Sequence, residues 1–85
     1  MSAADERIAL VTPADLLALE AQWPSHSPNK DAAIRARGLA PARFYQLLVR
    51  AAASADGIAA DPLTARRVRE RVATRAEARR RRIAP

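Results

Sequence analysis

Cysteine is absent from the 85 residues, and histidine occurs once, as His26. No disulfide or thiolate metal site can form, and a lone imidazole cannot build a zinc centre or a catalytic triad unaided. The chain is therefore expected to be non-enzymatic, with no metal, no cofactor and no small-molecule substrate. Aromatics are nearly as scarce, since Trp23, Phe44 and Tyr45 are the whole set. Readers of single-stranded RNA need stacking rings, which disfavours that class. No apolar run approaches the roughly 20 residues needed to cross a bilayer. Met1 to Val11 carries Asp5 and Glu6 where a secretory signal would carry bases, so the expected location is the cytosol.

Arginine is what the chain has in excess: fourteen, against one lysine, Lys30. Together with 22 alanines this composition points to a GC-rich genome. The charge is one-sided. From Leu63 to Pro85 nine arginines face only Glu70 and Glu77, a local charge of +7, whereas residues 1–62 sum to −1. A merely solvated tail usually alternates signs, and this one does not. If Pro62 opens a helix, Arg67, Arg71, Arg75 and Arg79 recur every four residues, where like charges repel by roughly 0.2–0.5 kcal/mol per pair. A polyanion relieves that repulsion, and duplex nucleic acid adds the entropy of released counterions. A chain of this size buries only about 60% of its unfolded surface, so there is room for one small core.

Four prolines mark helix starts. Pro13, Pro28, Pro41 and Pro62 each stand just inside an apolar, Ala-rich segment, where a missing N–H and a fixed φ suit the first helical turn. Thr12 with Asp15 three residues on is a capping-box opening, and Leu16, Leu19 and Trp23 then share a face, predicting a helix over Pro13–Gln22. Trp23 belongs to the core on this pattern. Ser27 caps a second helix that carries Ala33, Ile34 and Ala36 and ends at Gly38. A third begins at Pro41 with Phe44, Leu47 and Leu48 in helical register and frays near Ala53. Ser54-Ala55-Asp56-Gly57 reads as a turn, and Asp61-Pro62 caps a last helix with a thin apolar stripe of Ala65, Val68, Val72 and Ala76.

Two short helices joined by a glycine-containing turn describe a helix-turn-helix. With Gly38 as the turn glycine, Ile34, Leu39, Phe44 and Leu47 take the positions buried between the two helices, and all four are apolar. The same register leaves Ala42, Tyr45, Gln46, Val49 and Arg50 outward, with Arg43 at the flank. Glutamine can bond an adenine edge, and arginine a guanine or a phosphate. Arg37 is the misfit, since the residue before the turn glycine is often apolar.

Several runs carry a family likeness: Gln22-Trp23, Lys30-Asp31-Ala32-Ala33-Ile34-Arg35, Gly38-Leu39, Arg43-Phe44-Tyr45-Gln46-Leu47-Leu48, Ala59-Ala60-Asp61-Pro62 and the Arg-Arg-Val-Arg that follows. Over roughly Leu16 to Arg82 the chain resembles a family of small actinobacterial nucleoid-associated proteins, long catalogued as a domain of unknown function. The resemblance implies a helix-turn-helix protein that binds chromosomal DNA and influences its architecture and transcription. It also implies Lys30, Arg43, Tyr45 and Gln46 as DNA contacts. Departures are Pro24 in place of a second Trp, one residue fewer between Ile34 and Gly38, and Ala40-Pro41-Ala42 where a hydroxyl-bearing opening is usual. Lost hydroxyls remove a cap and a phosphate contact, so sequence preference is altered while bulk electrostatics remain.

The expectation is thus an all-α chain: a flexible N-terminal arm (1–12), a three-helix helix-turn-helix domain (13–60) and a long Arg-rich C-terminal helix and tail (61–85). Function is expected to be DNA binding in the nucleoid, as a nucleoid-associated protein or global transcriptional regulator. Arg43, Tyr45, Gln46 and Arg50 would meet base edges or the groove, and Lys30, Arg35, Arg66, Arg67, Arg69, Arg71, Arg75 and Arg79 would meet phosphates. The alternative is a protein-interaction module in which Leu16, Leu19, Val68 and Val72 bury against an acidic partner, such as a transcription-machinery subunit. A homodimer is a further expected partner, because so small a core would leave the leucines of the first helix poorly covered.

Overall fold

The computed structural model describes residues 12–83, which form five α-helices: α1 Pro13–Gln22, α2 Pro28–Ala36, α3 Pro41–Ala53, α4 Ala55–Ala60 and α5 Pro62–Ile83. No strand occurs among the described residues. The arm expected over 1–12 lies, apart from Thr12, outside them, as do the last two residues.

Local chemistry sets the helix ends. The Thr12 hydroxyl accepts the Asp15 N–H at 3.1 Å while the Asp15 carboxylate accepts the Thr12 N–H at 3.4 Å, a reciprocal capping box that fixes the start of α1. The Ser27 hydroxyl accepts the Lys30 N–H at 3.0 Å and opens α2. At the other end of α2, Gly38 takes φ 86°, and its N–H and that of Leu39 return to the carbonyls of Arg35 and Ile34 at 3.0 and 3.4 Å. This Schellman closure needs a left-handed residue, which explains glycine here. α2 ends two residues short of that glycine, leaving Arg37–Ala40 to connect to α3. The N-cap of α3, Ala40, makes no side-chain hydrogen bond, in keeping with its missing hydroxyl.

The segment 54–57, expected to be a turn, instead begins α4. Ser54 closes α3 by donating to the Ala51 carbonyl at 2.8 Å and caps α4 by accepting the Gly57 N–H at 2.9 Å. Gly57 serves packing: a Cβ there would lie 1.9 Å from the Ala51 carbonyl oxygen, so only glycine lets α4 sit against the last turn of α3.

The core comprises Leu16, Leu17 and Leu19 of α1, Ile34 of α2, Phe44, Leu48, Ala51 and Ala52 of α3, and Ala65 and Val68 of α5. α3 lies between α1 and α5 and supplies the largest share. Of the four positions expected between α2 and α3, Ile34 and Phe44 are fully buried, while Leu39 and Leu47 are half-buried against the core. Trp23 packs on the same cluster. Leu16 and Leu19 are only 5% and 4% exposed, so the uncovered α1 surface on which dimerisation was argued does not exist. Val68 is buried too. Of the apolar set assigned to an acidic protein partner, Val72 alone reaches the surface.

α5 outruns this core. Its 22 residues extend about 33 Å, and side chains after Val68 are half-buried or exposed. The chain measures 57 × 29 × 17 Å, elongated in keeping with such a projection.

Candidate nucleic-acid interface

Glu20 lies on the apolar face of α1, in step with Leu16, Leu17 and Leu19, and is buried with them. Both its carboxylate oxygens are occupied: Oε1 accepts from Lys30 Nζ at 2.6 Å and Oε2 from Arg71 Nη2 at 2.8 Å. Arg71 Nη1 also donates to the Pro24 carbonyl at 3.4 Å. Lys30 and Glu20 side chains are each 1% exposed, and the ammonium sits 5.0 Å from the Tyr45 ring centroid, a cation–π distance. A phosphate cannot reach this ammonium. Lys30, expected as a DNA contact, is instead the internal counterion of Glu20, and sequence reasoning missed the triad. The only signal was a carboxylate inside an apolar stripe.

The outward face of α3 carries Arg43, Gln46 and Arg50, all exposed, separated by small or apolar Ala42, Val49 and Ala53. Arg43 Nη1 donates to Gln46 Oε1 at 3.2 Å, which aligns the two ends as one polar surface. Arg50, in the last turn of α3, has no carboxylate within ion-pair distance among the described residues. Tyr45 was expected outward but is half-buried at the edge of this face. Its ring meets Phe44 edge-on, with centroids 5.1 Å apart, and its hydroxyl lies 3.0 Å from His26 Nδ1, where the imidazole tautomer sets the donor. The structure therefore groups Arg43, Gln46 and Arg50 and moves Tyr45 to the side.

The arginines of α5 divide into three sets. Arg69 donates to the Ala52 carbonyl at 2.7 Å, capping the end of α3, and Arg71 belongs to the Glu20 triad. Arg66 pairs with Glu70 at 2.9 Å, and Arg80 and Arg81 share Glu77 at 2.6 and 3.5 Å. Those three pairs are exposed and each contributes only about 0–1 kcal/mol, so phosphate could replace them cheaply. Arg67, Arg75, Arg79 and Arg82 have no carboxylate partner within 4 Å among the described residues. Steps of four residues drift about 40° around a helix, so the expected row from Arg67 to Arg79 twists around the surface. Its distal part is what stays together. Arg75, Arg79 and Arg82 line one shallow depression with Val72 and Ala78, and Arg75 also lines a groove with Tyr45 and Val49 of α3. The projecting half of α5 thus adjoins α3 at Tyr45 and Val49.

Arg35 and Arg37 are exposed at the end of α2, without carboxylate partners among the described residues. Exposure resolves the misfit of Arg37, which is not called upon to fill an apolar position. The Asp61 carboxyl is held below its ordinary range chiefly by the Thr64 N–H that it accepts at 3.0 Å, then by the Thr64 hydroxyl and the nearby Arg67 charge. It caps α5 and is no part of the cationic surface.

What the fold and this surface define is a small all-helical protein with a cationic helix carried past its core. Residues 11–80 match the family model described as "Protein of unknown function (DUF3263)", and the chain belongs to that family. No curated protein and no solved structure matches it.

Proposed function

We propose that the protein binds duplex DNA without catalysing a reaction, as a nucleoid-associated protein or global regulator of transcription in the cytoplasm. α2, the Gly38 turn and α3 act as a helix-turn-helix that presents Arg43, Gln46 and Arg50 to the major groove, while the distal half of α5 follows the phosphates. The observation that carries this reading is the set of cationic side chains without a carboxylate partner among the described residues, Arg43 and Arg50 on α3 and Arg75, Arg79 and Arg82 along the distal half of α5. An anion is the partner that such a surface lacks. Base-edge contacts from α3 supply preference and phosphate contacts from α5 supply sequence-blind affinity, so the two halves separate under mutation.

The test is a gel-shift titration of random and competitor duplexes at low ionic strength. Arg67, Arg75, Arg79 and Arg82 changed together to Gln should abolish binding without unfolding the domain, since none of the four has an internal partner among the described residues. Gln46→Ala should retain affinity for random duplex and relax discrimination, by about 1–3 kcal/mol at the base it reads. Undiminished binding by the neutralised tail would refute the role of α5.

A further inference from the structure

We propose that the notch between α3, α5 and the loop after α1 seats one sugar-phosphate unit of the DNA backbone. His26 and Arg75 would hold the phosphate, and Val49 and Val72 would pack on the deoxyribose. The inference rests on the DNA-binding reading and adds to it His26, which neither the helix-turn-helix register nor the arginine row identifies.

Chemistry of the walls leads to this ligand. His26, Tyr45, Arg71 and Arg75 line the notch together with Val49 and Val72, which are 41% and 37% exposed. The Tyr45 hydroxyl at 3.0 Å from His26 Nδ1 orients the imidazole and leaves Nε2 with no partner among the described residues. Arg75 likewise has no carboxylate within 4 Å among them. Glu20 is the carboxylate bound at this corner, and it is already shared between Lys30 and Arg71, so the corner keeps a surplus of positive charge. A bare inorganic anion would gain from Arg75 and His26 but nothing from two valines. A phosphodiester brings an apolar sugar face together with its charge. Arg79 and Arg82 continue from Arg75 along α5, as a partner with repeated charges requires, which favours a polymer of phosphates over an isolated ion.

Fluorescence anisotropy with a short duplex at low salt tests the notch on the full chain, with thermal melts confirming that each variant folds. His26→Ala and Arg75→Gln should each weaken binding by about tenfold, the value of a lost charge-assisted hydrogen bond. Arg75→Gln should also make the slope of log K against log salt shallower by about 1. In methyl NMR spectra duplex should shift the Val49 and Val72 resonances, while inorganic phosphate at the same phosphate concentration leaves them in place. Three results overturn the proposal. If both variants bind duplex indistinguishably from wild type while Arg43→Ala weakens it, the notch is wrong and the DNA-binding reading stands. If inorganic phosphate shifts the valine methyls as duplex does, or polyglutamate displaces duplex while shifting them, the occupant is a simple anion or an acidic polypeptide. If wild type binds no duplex at all, the DNA-binding reading falls and the notch with it.

Discussion

The compact body and the distal half of α5 use the same side chain for opposite purposes. In the body, Arg69 caps the end of α3 and Arg71 is drawn onto Glu20, so each guanidinium is consumed by the fold. Beyond Val72, Arg75, Arg79 and Arg82 have no carboxylate partner among the described residues. Position relative to the core, and not residue type, decides which arginines the fold engages and which it leaves without a carboxylate partner. The lone lysine follows the same rule. Lys30 is the cation that is fully buried, where a compact ammonium can sit between Glu20 and the Tyr45 ring and a planar guanidinium would need more room.

The contrast breaks most severely at Glu20. Glu20→Ala strips the carboxylate from two cations and leaves the buried ammonium of Lys30 uncompensated, so urea denaturation should show a loss of about 3–5 kcal/mol. Arg79→Gln should fall within about 0.5 kcal/mol of wild type. Comparable losses in both variants would erase the distinction between the two regions. Next in size is Gly57→Ala, which sharpens the boundary of the body. The new Cβ must displace the Ala51 carbonyl, costing about 1–3 kcal/mol as a shifted midpoint, with duplex binding by folded protein unchanged.

Smallest is the pH response of Asp61, which caps the start of α5 within the body. Its folded pKa is lowered, so the stabilisation it gives is present above the unfolded value of about 3.9 and is lost as pH falls through the folded value. Asp61→Ala should therefore melt below wild type at neutral pH, and the gap should narrow on acidification past that value. A gap that widens in acid would contradict the cap.

Helix positions were largely legible because their causes are local. Proline at the first turn, Thr12 and Ser27 as caps and Gly38 as the left-handed closure are written within a few residues of the ends they set, and α1 and α3 span the residues that these signals predict. α4 was missed because Ser54 and Gly57 are turn formers whose roles here, capping and close approach to Ala51, depend on α3 being alongside. The exposed polar face of α3 was legible in the sequence, and the burial of Lys30 was not. Arg43, Gln46 and Arg50 follow from helical periodicity and the outward direction that it gives. Lys30 does not: its partner lies ten residues earlier on another helix, and no periodicity announces that a cation in a basic chain will be buried. His26 escaped because a lone histidine in a turn cluster carries no signal until Tyr45 is brought against it.

If charge surplus to the fold is presented to a phosphate backbone, duplex affinity must fall steeply as salt is raised. With about five phosphates neutralised, log K should fall with log salt at a slope of about −4 to −5. No binding at low ionic strength, or a slope shallower than about −1.5, would contradict it.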